Sequence, residues 1–188
     1  MTRKTARPDG RPLIRWTTCL VIAGAIGAVV SCRTPHRRYR PPHDPDRMSD
    51  TVFLHYLASV PVVNVEEGVR AVLMLTEEGK RLDTYESRYE ALRDMGAIRP
   101  AWRLRPGQVL DKGTLAFWLR TLCRLPRSVN ERISDRIGWG DRRNALKVCI
   151  YEGLMPHGLP QEPVRGGEMV SALTAAERYL SEHADKQD

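Results

Sequence analysis

Apolar residues recur along this chain at intervals of three and four, the period of a helix face turned toward a core. From Thr51 onward no stretch alternates as a half-buried strand does. Val65, Val69, Val72 and Leu73 mark one helix face, running to near Gly79. Tyr85, Tyr89 and Leu92 mark a second, closed by Gly96, and Leu115, Trp118, Leu119 and Leu122 a third that opens near Asp111. Ser128 and Glu131 stand at capping-box spacing before Ile133 and Ile137, which predicts a short fourth helix. Asp141 to Glu152 gives a fifth that ends at Gly153, and Met169, Leu173, Ala176 and Leu180 give a sixth. The pattern predicts an all-α domain.

Two of these helix pairs read as copies of each other. In each a helix stops at a glycine, the chain crosses a proline-containing loop, and a second helix opens shortly before a large apolar residue. Gly96 aligns with Gly153 and Leu115 with Met169, the second copy having three fewer loop residues. A glycine at the stop has a physical reason: a left-handed residue there meets no Cβ clash. Such a unit buries little by itself and is stable only when stacked on others.

The N-terminus follows a different pattern. Met1 to Arg15 carries Arg3, Lys4, Arg7, Arg11 and Arg15 against Asp9, Trp16 to Val30 is free of charge, and Val29-Val30-Ser31-Cys32 follows. Basic, then apolar, then small is the order of a cleaved secretory signal. An apolar run of about 15 residues spans about 22 Å as a helix, short of a bilayer core of about 30 Å, which disfavours an uncleaved spanning anchor. Val-Val-Ser-Cys resembles the bacterial lipobox, which implies cleavage before Cys32 and acylation of its thiol. Arg33 stands where some inner-membrane lipoproteins carry aspartate, which tilts the expected address toward the outer membrane, facing the periplasm. The expected division is a signal peptide over 1–31, a lipidated cysteine with a basic, proline-rich tether over 32–50, and the helical domain over 51–188. The arginines of the tether either meet anionic headgroups or are simply solvated.

This division changes the meaning of the charge. The chain has 30 Lys and Arg against 23 Asp and Glu, net +7, but residues 1–50 hold ten of the basic and four of the acidic side chains. The domain over 51–188 is therefore nearly neutral, at +1. A nucleic-acid reader keeps its positive charge on the folded unit. Arg142, Arg143 and Lys147 do open a helix after a short turn, as in a recognition helix, but the export signal and the neutral domain argue against nucleic acid as a partner.

The helix-glycine-loop-helix pattern resembles the S-layer homology family. Gly96-Ala97-Ile98 and Gly153-Leu154-Met155 match its G-(I/L)-(I/L) element, and Pro163-Val164 with Glu168 and Met169 match its P-(V/I)-T-R-A-E element. Val62 to Leu75 reads as the second helix of an incomplete first module, so the resemblance covers roughly residues 60–183. It implies tandem helix-loop-helix modules packed about a pseudo-threefold axis, non-catalytic, with grooves that hold cell-wall polysaccharide. By position, the family's acid-gripping arginine falls on Lys112 in one copy and on Gly166 in the other, with Arg165 one place early. Lysine keeps the charge but not the bidentate grip. The expected glycan contacts are Lys112 and Arg165. The alternative is a protein-protein adaptor on the same tether, using aromatic surface around Trp102, Phe117 and Trp118.

Catalytic chemistry finds little support. Beyond the tether the histidines are His55, His157 and His183, in no metalloprotease spacing, and neither a nucleophile turn nor a glycine-rich phosphate loop follows a strand. Glu66-Glu67 and Glu77-Glu78 read as a solvated helix face. No cofactor or metal is expected. Cys123 and Cys149 remain once Cys32 is acylated; they either pair as a disulfide or pack as buried free thiols.

Overall fold

The computed structural model describes residues 44–126 and 141–183. Among them are six α-helices and no strand: α1 Asp50–Ser59, α2 Val65–Leu73, α3 Tyr85–Asp94, α4 Lys112–Leu122, α5 Asp141–Tyr151 and α6 Gly166–Glu182. The all-α class is therefore observed. The helix expected over 128–138, the signal segment and Cys32 lie outside the described residues. No helix among those described is long and apolar enough to cross a membrane.

Two boundaries differ from the sequence reading. α2 ends at Leu73, not near Gly79. The chain folds back over the helix end, where Thr76 Oγ1 donates to the Leu73 carbonyl and accepts from the Gly79 N–H. A Cβ on Gly79 would lie 2.3 Å from that carbonyl oxygen, so only glycine fits. α1, to which no periodic set pointed, is held by Phe53 and Leu57, one helical turn apart and fully buried. Packing also begins before Thr51. Arg70 Nη2 donates to the Met48 carbonyl at 2.7 Å and to Asp50 at 2.9 Å, and Arg88 pairs with Asp46.

α2, α4 and α6 start at one central point. The Val63 N–H donates to the Val164 carbonyl, the Val164 N–H to Leu110, and the Leu110 N–H to Val63, each at 2.9 Å, closing a ring of three main-chain bonds. Isolated bridges at Asn64–Val109 and Asp111–Pro163 extend it. The next residue along each segment of the ring, Asn64, Asp111 or Arg165, is the N-cap of a helix. A helix start buried at a centre must find partners for its free N–H groups. Neighbouring loops supply them: Val65 N–H donates to the Gln108 carbonyl, Lys112 N–H to Glu162 and Gly166 N–H to Val60. Each of the remaining helices pairs with one of these three, α3 packing on α2, α5 on α4, and α1 on α6.

Four residues after each N-cap stand Gly68, Leu115 and Met169, all buried. A Cβ on Gly68 would meet Leu110 at 2.6 Å and Trp118 at 3.2 Å, so the missing side chain is what admits the indole. Trp118 is fully buried, as are Leu57, Leu73, Leu92, Leu115 and Met169. Burial of this kind is worth roughly 1.5–3 kcal/mol per large side chain.

Three helices end in the same way. In α3 and α5 the glycines at 96 and 153 have φ of 76° and 72°, and the residue after each donates back to Leu92 or Cys149. α4 makes the same pair of bonds, Leu125 N–H to Arg120 and Arg124 N–H to Thr121, with Arg124 rather than glycine at φ 50°.

Candidate functional site

The sequence-predicted pair Lys112 and Arg165 comes together at the joint between the starts of α4 and α6. Asp111 caps α4, its Oδ1 accepting the Thr114 N–H at 2.7 Å, and this points Lys112 across the ring toward α6. Glu168 stands at the third position of α6 and uses both oxygens. Oε2 accepts the Arg165 N–H at 3.1 Å, and Oε1 accepts from Lys112 Nζ at 3.0 Å. Glu162, in the loop before α6, adds a second carboxylate 3.1 Å from the same ammonium. The Lys112 side chain is 8% exposed, Glu162 41% and Glu168 28%.

The electrostatics follow from that cage. Burial pushes the Lys112 pKa down, but the hydrogen bonds and charges of Glu168 and Glu162 outweigh it and the net direction is up. The hydrogen bond from Lys112 holds the Glu162 carboxyl below its ordinary range, with the charge of Arg165 assisting. Lys112 is thus a neutralised rivet between two helix starts, whereas Arg165 is exposed. Gly113 and Gly158 let the loop close on this joint: a Cβ on Gly113 would lie 3.0 Å from Pro160, and one on Gly158 3.0 Å from Lys112 Nζ. Arg142 joins the same side, 3.2 Å from Asp111 and 4.2 Å above the Trp102 ring.

Other expectations are corrected. Glu67 is not on a solvated face: it is fully buried, accepting from Asn64 N–H at 2.9 Å and from the Tyr56 hydroxyl at 2.5 Å. Burial raises its pKa despite those two bonds. The reason is its place at the third position of a helix whose start lies at the ring, where it completes a capping box with Asn64. Nor do Phe117 and Trp118 form a surface, at 2% and 0% exposure; Trp102 packs edge-on against Phe117 from outside. Cys123 and Cys149 are both free thiols, pushed up to about 12 by burial, and Cys149 Sγ lies 3.3 Å from the Ala116 carbonyl.

His55 and His157 are exposed, and His183 stacks on Tyr179 with centroids 4.1 Å apart. Among the described residues no group of His, Cys, Asp and Glu is arranged to hold a metal. Sequence reasoning missed Glu162, for which no local signal exists, and named Glu168 only as part of the matched P-(V/I)-T-R-A-E element, not as a partner of Lys112. In comparisons with known proteins, the chain matches no family model, no curated protein and no solved structure.

Proposed function

We propose that this protein is a non-catalytic, lipid-anchored component of a bacterial envelope, held through acylated Cys32, whose S-layer-homology-like domain binds cell-wall glycan. The observation that carries the reading is the ring of Val63, Leu110 and Val164, which gathers three helix starts at one centre, as the pseudo-threefold packing of that family implies. The aligned glycine stops at Gly96 and Gly153 support it further. Within this reading Lys112 fixes the joint and Arg165 is the contact residue. An exposed guanidinium offers a carboxylate two parallel N–H donors.

The test is retention of the full-length chain on purified sacculi after a high-salt wash, which removes nonspecific attraction to the basic tether. Arg165→Ala is expected to abolish retention while leaving the melting temperature unchanged. Retention equal to wild type, or none for either protein, overturns the glycan assignment. A mature N-terminus that does not begin at acylated Cys32, read by mass spectrometry, overturns the anchor.

A further inference from the structure

The joint that holds Lys112 carries a negative charge that the fold does not use up. Both oxygens of Glu168 are engaged, Oε1 on Lys112 Nζ at 3.0 Å and Oε2 on the Arg165 N–H at 3.1 Å. Glu162 meets the same ammonium at 3.1 Å, so one cation stands between two carboxylates. The surplus falls on Glu162, the more exposed of the two at 41% against 28%. Its carboxyl is held below the ordinary range, chiefly by the hydrogen bond from Lys112, and is therefore ionised at neutral pH. A carboxylate has about four lone-pair positions, and Lys112 with the Leu159 main chain fills only part of that capacity.

Arg165 brings the opposite charge to the same place. Its N–H lies on the carboxylate that Lys112 grips, its side chain is exposed, and its charge reaches Glu162 through space. Among the described residues no carboxylate is within ion-pair distance of its guanidinium. An anion and a cation thus face solvent three residues apart without closing on each other.

Gly167 adds an independent sign of close approach. It is exposed, its φ is not left-handed, and a Cβ there would meet nothing within 4 Å. Neither backbone nor packing calls for glycine, which destabilises a helix relative to alanine. A glycine of this kind is expected where a ligand comes close to the main chain.

We propose that this joint selects sugars that carry an ammonium together with a carboxylate, Arg165 taking the carboxylate, Glu162 the ammonium, and bare Gly167 leaving the approach open. The inference rests on the glycan-binding reading above and narrows it to glycan with free amino groups. An acetylated amine loses its charge and leaves the Glu162 carboxylate to be covered without a cationic partner, which is unfavourable.

The test is calorimetric titration of the full-length chain with three sugars. Muramic acid carries both groups, N-acetylmuramic acid only the carboxylate, and glucosamine only the amine. Wild type is expected to bind muramic acid about tenfold or more tighter than either of the others. Glu162→Gln should bind muramic acid and N-acetylmuramic acid equally. Gly167→Ala, which leaves the ion cage intact, should raise the melting temperature and still weaken muramic acid binding about threefold or more. Equal wild-type affinity for muramic acid and N-acetylmuramic acid overturns the proposal, as does a preference that survives in Glu162→Gln or an unaltered affinity in Gly167→Ala. Sacculus retention reads the glycan assignment separately: wild type that is retained but shows no preference for muramic acid loses the amine selection alone, and wild type that is not retained loses both.

Discussion

The two ends of α4 handle positive charge in opposite ways. At the N-terminal end one ammonium, Lys112, is buried between Glu162 and Glu168 at 3.1 and 3.0 Å. At the C-terminal end three arginines, Arg99, Arg120 and Arg124, line a cavity. At the first end a buried cation ties two helix starts together; at the second Arg99 is tied to Asp141 at 3.0 Å, while Arg124 stands exposed in a left-handed turn. A count of arginines and lysines does not distinguish the two, because the partners of Lys112 are 50 and 56 residues along the chain.

The largest expected effect tests the first end. Glu168→Ala leaves a buried ammonium with one partner and removes the acceptor of the Arg165 N–H. It should lower stability in urea by about 2 kcal/mol, less than for a fully buried pair because both carboxylates reach solvent. A loss within error of zero would mean that Lys112 is not the rivet described. Next in size is Arg124→Gly, expected to raise stability by about 1 kcal/mol because glycine adopts the left-handed position without strain. A loss of stability would show that the guanidinium is structural, and the contrast between the ends would dissolve.

Lys112→Met should cost only about 0.5 kcal/mol, since the apolar stem stays packed and the freed carboxylates can turn to water. A cost above that of Glu168→Ala would reverse the ranking. The smallest effect is in pH. The folded pKa of Glu162 is depressed, so its contribution is present above the unfolded value near 4.5 and is lost as pH falls through the folded value. Buried Glu67 acts with the opposite sign: its raised folded pKa means stability is gained as pH falls toward 4.5. The stability difference between wild type and Lys112→Met therefore isolates the joint, and it should shrink on acidification below about pH 4.5. Arg124→Gly, at the opposite end of α4 from the joint, should track wild type across the same range.

Much of the fold was legible because it is written in short-range chemistry. Gly96 and Gly153 announce helix stops, Asp111 announces a start, and the three-and-four spacing around Leu115 and Met169 announces buried faces. α1 was not legible, since Phe53 and Leu57 alone do not establish a period, and its burial is made by α6 closing on it from the far end of the domain. The position of Gly166 shows how tight that closure is: a Cβ there would lie 1.9 Å from the Leu57 carbonyl oxygen.

The candidate site divides along the same line. The sequence by itself determined the helical class, the helix stops at Gly96 and Gly153 and the start near Asp111, because hydrogen bonds and side-chain periods within one turn fix them. The tertiary structure alone decided that Lys112 is spent on Glu162 and Glu168, that Glu67 is buried, that Phe117 and Trp118 face inward, and that Arg124 stands over a cavity. Those outcomes depend on which helix ends the ring of Val63, Leu110 and Val164 brings together, and contact between residues far apart in the chain leaves no trace in local spacing.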